Sequence, residues 1–204
     1  YYVDGKTLSP DNYEALEVRL TETERYRLPD KRKVGARHRH ILSRALMRYG
    51  VTQEFGGLKS VEYPKDNAPY ILDAPVHLSL SHCGSIAAIA IGHDCLIGCD
   101  VLTSGRSKHW RQLVNRWFHA AEIDWVMAAS ESEQESRFTE LWCKKEAYAK
   151  AFHTSVFECL GMNMRDISGW SYSRLEMGFS FAIISNKAPR LQIVYVDVRR
   201  LMDD

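Results

Sequence analysis

The chain has 204 residues, 45% of them hydrophobic and 26% charged, with a formal net charge of +1. That composition excludes disorder, collagen and fibrous coiled coil, and the longest uninterrupted apolar run, 86–91, is far shorter than the roughly 20 residues of a membrane helix. The five cysteines are odd in number and form no CxxC pair, which suits buried thiols in a reducing compartment, the cytoplasm, better than a disulfide framework.

Apolar spacing predicts a helix over 16–27 and another over 36–49. The second sets Ile41, Leu42, Ala45, Leu46 and Tyr49 on one side and Arg37, Arg44 and Arg48 on the other. Between Arg25 and Arg48 stand nine Lys or Arg and a single acid, Asp30. Such a local bias in a neutral chain points to a localised anionic ligand; the alternative is a solvated helix face whose basic stems lie over apolar surface. Loops follow at Gly56-Gly57 and at 64–69. Alternation then predicts a strand over 76–81, and glycine turns lead to strands over 86–91 and 96–101 as an antiparallel meander.

The second half reads as a helix over 110–129, with Leu113, Trp117, Ile123 and Val126 as core candidates, and a helix over 134–152. Strands over 179–184 and 191–198 close the chain, joined by a turn at Asn186-Lys187. Each half offers helices and a small antiparallel sheet without βαβ alternation, so the fold class is α+β. The halves divide as 1–103 and 104–204. The stretch 82–92, beginning His82-Cys83-Gly84-Ser85-Ile86, is faintly echoed in 177–185, beginning Met177-Gly178-Phe179-Ser180-Phe181, and this hints at an internal duplication.

Three segments could do chemistry. In Ile97-Gly98-Cys99-Asp100-Val101 a carboxylate ends a buried-looking strand; it needs a cation or donors there, or else caps a strand end. In 141–150, Trp142, Glu146 and Lys150 fall at i, i+4 and i+8 on one helix face, with Lys145 about 100° around the turn. A carboxylate among lysines is what a Mg²⁺–phosphate site uses; the alternative is a surface Glu–Lys pair worth only about 0.3–0.5 kcal/mol. In 78–84, Ser81 and His82 offer donors beside a glycine turn, or His82 is a structural histidine. No Ser-His nucleophile elbow, zinc-type spacing, P-loop or dinucleotide glycine pattern occurs.

Taken together and in this order, these segments resemble the 4′-phosphopantetheinyl transferases of the single-chain, pseudo-dimeric type (group II, surfactin-synthetase-activating). The resemblance runs from the basic helix through 78–84, 97–101 and 118–122 to Trp142-x-x-Lys145-Glu146-Ala147-x-x-Lys150. It implies two similar α+β halves related by a pseudo-twofold axis with coenzyme A between them, and transfer of the 4′-phosphopantetheine arm to a serine of an apo acyl or peptidyl carrier protein, releasing adenosine 3′,5′-bisphosphate. Asp100 and Glu146, one from each half, are implied as Mg²⁺ ligands. Lys150 is implied at the pyrophosphate and the departing phosphate, and Lys145 as a second phosphate contact. Arg39, His40, Ser81 and His82 are implied at the 3′-phosphate. Glu146 is the candidate base for the serine hydroxyl.

Two departures stand out. Leu102 occupies the third position of the usual D-x-E, removing one carboxylate, and the usual G-K-P reads Asn67-Ala68-Pro69, which leaves Lys65 as the nearest lysine. The Leu102 departure keeps open a different reading, a degenerate module that holds coenzyme A or a carrier protein with little or no turnover. A nucleic-acid-binding domain would rest on the basic run alone, without any recognised motif. The expected partners are therefore coenzyme A and a carrier protein, with no nucleic acid and no membrane, around a monomer.

Overall fold

The structure, a computed structural model, describes residues 1–57, 59–64, 68–103, 105, 108–176 and 178–203. Lys65 and Asn67 lie outside the described residues. The chain forms two compact units, Tyr1–His93 with Leu191–Asp204, and Asp94–Arg190.

The first unit opens with strand β1 (Tyr2–Asp4), then helices α1 (Pro10–Val18), α2 (Glu22–Tyr26) and α3 (Val34–Phe55). The single helix expected over 16–27 is broken because the chain carries two start signals. Ser9 and Asn12 close a capping box at the head of α1, and Thr21 and Glu24 close another at the head of α2. Helix α3 runs well past the expected 36–49 and stops at Gly56, whose φ of 67° suits a residue without a Cβ. It buries Ile41, Leu42, Leu46, Met47 and Val51. A short two-stranded ribbon, β2 (Val61–Glu62) with β3 (Tyr70–Ile71), precedes the hairpin of β4 (Val76–Cys83) and β5 (Ile86–His93). Strand β1 pairs antiparallel with β5, so the sheet order is β1-β5-β4.

The second unit repeats that order of elements. Strand β6 (Ile97–Thr103) leads to α4 (Trp110–Trp117), α5 (Ala120–Met127) and α6 (Glu131–Phe152), then after the short α7 (Val156–Cys159) to the hairpin of β7 (Trp170–Glu176) and β8 (Phe179–Ser185). Here too the first strand pairs with the second strand of the hairpin, giving β6-β8-β7. In both units the helix entering the hairpin half has 22 residues. This shared topology is what the faint internal echo reflects.

Several expectations change. Strand β6 does not continue a meander from β5; it pairs with β8, register Asp100 opposite Ala182. The seam therefore falls at Asp94 rather than after residue 103, and Asp100 and Glu146 belong to one unit. The helix expected over 110–129 breaks at Phe118, where His119 caps α5 through its ring nitrogen. The break turns Trp117 outward, 49% exposed, and Val114 fills the core in its place. Residues 191–198 form no hairpin with β8. They return to the first unit, where Tyr2 N donates to Val194 O at 3.0 Å and Val196 N to Tyr2 O at 2.8 Å, while Val196, Val198 and Leu201 join its core. Strand β7 takes the vacated place beside β8. Its mostly polar, half-exposed sequence carried no clear alternation.

Candidate functional site

In the second unit, α6 lies unusually close to β6, and Gly98 is the reason. A Cβ at that position would sit 1.9 Å from Ala147 O and 2.6 Å from Ala151 N. Two residues along the strand, on the same face by the period of two, Asp100 meets the helix. Its Oδ1 lies 2.7 Å from Lys150 Nζ, which also donates to Cys99 O at 3.2 Å. The Asp100 side chain is 9% exposed and that of Lys150 31%. Burial alone would lower the Lys150 pKa, but the charge of Asp100, with Glu146 one turn back also contributing, holds it above its ordinary value. The ammonium is thus a fixed cation paired with Asp100.

Cys143 closes this group from below. Its thiol is fully buried and donates to Ser180 O at 3.3 Å. Burial first, then the charge and hydrogen bond of Asp100, push its pKa well above the ordinary thiol range. Leu102 packs at the edge of the cluster of Cys143, Ala147, Ala151, Ala182 and Ile184, so it offers no oxygen. Among the described residues no group of three or more His, Cys, Asp or Glu is arranged to hold a metal. Two carboxylates remain, and a magnesium ion that keeps waters and takes the rest of its shell from substrate phosphates needs no more than two. The donor set fits that ion.

Lys145 departs from its expected part as a phosphate contact. It is fully buried, and its ammonium is saturated from within. It donates to Cys159 O at 3.2 Å and Met162 O at 2.7 Å. Glu122 Oε2 lies 2.7 Å away, a contact of charge rather than of hydrogen-bond direction. The other Glu122 oxygen accepts from Met164 N at 2.8 Å. Burial lowers the Lys145 pKa, against the pull of Glu122. With two carbonyls and the Glu122 charge around it and no exposed surface, the Lys145 ammonium is closed to a ligand. It pins α5 and 159–164 to α6.

In the first unit, the charge of His82 bears on His40. Ser81, next along β4, is buried and by the alternation of the strand takes the face opposite to His82. Arg39, on α3, has no hydrogen-bond or ion-pair partner among the described residues and is half-buried. The residue that sequence reasoning misplaced is Arg44. Assigned to the polar side of its helix, it is only 9% exposed, with its guanidinium carbon 3.5 Å from the centre of the Tyr63 ring. The i, i+4 spacing from His40 was the available clue. Elsewhere three members of the basic run are paired internally. Arg37 pairs with Glu17, Arg48 with Glu24 and Arg32 with Asp30.

Residues 96–193 match the 4′-phosphopantetheinyl transferase superfamily. The chain is 26% identical over 140 residues to the 4′-phosphopantetheinyl transferase AcpT of Salmonella typhimurium strain LT2, covering 68% of each chain. It is 25% identical over 142 residues to the AcpT of Escherichia coli strain K12, covering 69% of this chain and 71% of that one. These likenesses support a transferase enzyme, and the family match contains β6, α6 and the Asp100–Lys150 pair. The surfactin-activating subtype is not among the relatives matched.

Proposed function

We propose that this chain transfers the 4′-phosphopantetheine arm of coenzyme A to a serine of an apo acyl or peptidyl carrier protein, with Mg²⁺, releasing adenosine 3′,5′-bisphosphate. The observation that carries the reading is the Lys150 ammonium, held at 2.7 Å by Asp100 with Glu146 one helical turn away, inside the matched segment. Phosphoryl transfer depends chiefly on positioning and on stabilising negative charge.

Asp100 and Glu146 would hold the magnesium ion. When bound, that ion neutralises charge on the pyrophosphate. Lys150 orients the pyrophosphate and stabilises the departing α-phosphate as the bond to it breaks. The carrier serine oxygen forms the new bond to the β-phosphorus, and its proton passes to Glu146, directly or through a water. His40 and His82, with Arg39, receive the nucleotide's 3′-phosphate; Ser81 is assigned there by resemblance alone, and Lys145 keeps a structural part.

An acidic carrier is supported by α4. Its exposed side carries Arg111, Arg116 and Trp117, with Lys108 just before it and no acid in the helix, and Arg116 lies over the Trp117 ring at 4.9 Å. The same reading carries a monomer in the cytoplasm, where coenzyme A and five free buried cysteines are compatible. No described helix is long and apolar enough to cross a membrane.

Incubation with coenzyme A, Mg²⁺ and a panel of apo carrier proteins tests the reading: one carrier should gain the mass of the arm on a serine. Folded protein that binds coenzyme A and modifies none of them rejects turnover. The second reading, a binding module without turnover, draws on Leu102. It requires coenzyme A binding that persists in Glu146→Gln while the parent transfers nothing.

A further inference from the structure

Cys143, Glu146 and Lys150 fall at i, i+3 and i+7 on α6, so they share one face of that helix. Asp100 comes to the same face from β6. Gly98 sets the strand against Ala147 and Ala151, and Leu102, two residues beyond Asp100, packs at the cluster that holds Cys143. The register agrees: Asp100 lies opposite Ala182 and Leu102 opposite Ser180, whose carbonyl takes the Cys143 thiol at 3.3 Å. Asp100 is itself a hydrogen-bond neighbour of that thiol. The other buried members of the cluster are Ala147, Ala151, Ala182 and Ile184, none of which carries a side-chain donor. A carboxylate only 9% exposed among such neighbours needs donors, and Lys150 meets its Oδ1. Asp100 is also the single acid of β6, since Leu102 supplies none. Whatever fixes its plane therefore fixes all that the strand's side chains can offer a cation.

We propose that Cys143 is a positioning residue: its S–H turns from Ser180 O onto the Asp100 carboxylate and holds the plane of that group while Lys150 holds Oδ1. With the coenzyme A reading as its ground, this role adds to the site a residue that touches neither substrate nor metal. A thiol is a weak donor, yet a charged acceptor roughly doubles the strength of a hydrogen bond, and Cys143 is sealed from competing water. Buried beside a carboxylate, the thiolate is disfavoured, so the donor keeps its proton. Sulfur is too soft a ligand for Mg²⁺, and Cys143 acts only through Asp100. A carboxylate whose plane is set before the cation arrives has less freedom to lose on binding it.

Infrared spectra of the S–H stretch test the bond in the metal-free protein. The parent should show one thiol band, lowered in frequency, that Cys143→Ala removes and Asp100→Asn moves upward, because a neutral amide accepts more weakly than a carboxylate. A Cys143 band unmoved by Asp100→Asn overturns the proposal. Mn²⁺ titration followed by electron paramagnetic resonance, with coenzyme A present, reads the positioning. Cys143→Val removes the donor and should raise the Mn²⁺ concentration for half-saturation about 3–10-fold, the worth of one ordinary hydrogen bond. Cys143→Ser keeps a donor and should stay within about twofold of the parent, although it melts below Cys143→Val because a hydroxyl is costlier to bury than a methyl. Metal binding that follows the melting order instead makes Cys143 a packing residue and overturns the proposal. A responsive band and the expected Mn²⁺ order without transfer of the arm reject the enzymatic reading alone; transfer with an unresponsive band rejects the positioning role alone.

Discussion

Two lysines five residues apart on α6 are each paired with a carboxylate at 2.7 Å, and they serve opposite ends. Lys145 and Glu122 are both fully buried, and two backbone carbonyls complete the ammonium's shell. Lys150 keeps nearly a third of its side chain exposed, and Glu146 stands on the same side of the helix. One pair is sealed and saturated; the other can exchange its partner for a ligand. Distance alone does not separate structure from chemistry here. Exposure does.

The contrast breaks most sharply at the sealed pair. Lys145→Met leaves Glu122 buried without compensation, and its unfolding free energy in denaturant should fall by about 3–5 kcal/mol. Adding Glu122→Leu should recover much of that loss, because replacing both charges removes the orphan. A Lys145→Met protein as stable as the parent would mean that the pair is not sealed. At the open pair the loss should be in rate. Lys150→Met should keep a melting temperature near the parent's while single-turnover transfer slows by about 10²–10³-fold, the usual worth of one charge-stabilising group. A collapse of stability instead would make Lys150 a second structural lysine.

Gly98 sets how closely strand and helix bring Asp100 to Lys150. Gly98→Ala forces its methyl into Ala147 O and Ala151 N, and should cost about 1–3 kcal/mol of stability. Chemical denaturation measures it, and an unchanged midpoint would show that the helix can stand off without cost. The smallest effect lies at Leu102. Leu102→Glu restores the absent carboxylate and should lower the Mg²⁺ concentration for half-maximal transfer by about tenfold, one added oxygen ligand for a hard cation. A magnesium curve that does not shift would place Leu102 outside the metal's reach.

The long periodic elements were legible from residues alone. Helices over 36–49 and 134–152 are the cores of α3 and α6, and the strands over 76–81, 86–91 and 179–184 lie within β4, β5 and β8. What failed was local punctuation and long-range pairing. The Thr21–Glu24 capping box breaks one helix and His119 another, because a side chain that satisfies backbone donors can outweigh apolar spacing. The stretch 191–198 has strand-like composition, yet its partner is Tyr2, across nearly the whole chain, and no local pattern encodes that pairing. At the candidate site the resemblance named Asp100, Glu146 and Lys150, and the structure brings Asp100 and Lys150 together at 2.7 Å. Arg44 was placed at the surface because a helical period assigns cations there, whereas Tyr63, distant in sequence, makes its burial tolerable; Lys145 was given a phosphate by resemblance, and the structure sets it against the buried Glu122.

A crystal structure of the protein with coenzyme A and Mn²⁺ in place of Mg²⁺ tests the central claim most directly. The account predicts an anomalous peak touching oxygens of both Asp100 and Glu146, with the pyrophosphate against Lys150 Nζ. A pyrophosphate bound elsewhere, with Lys150 still closed on Asp100 and no metal on either carboxylate, would contradict it.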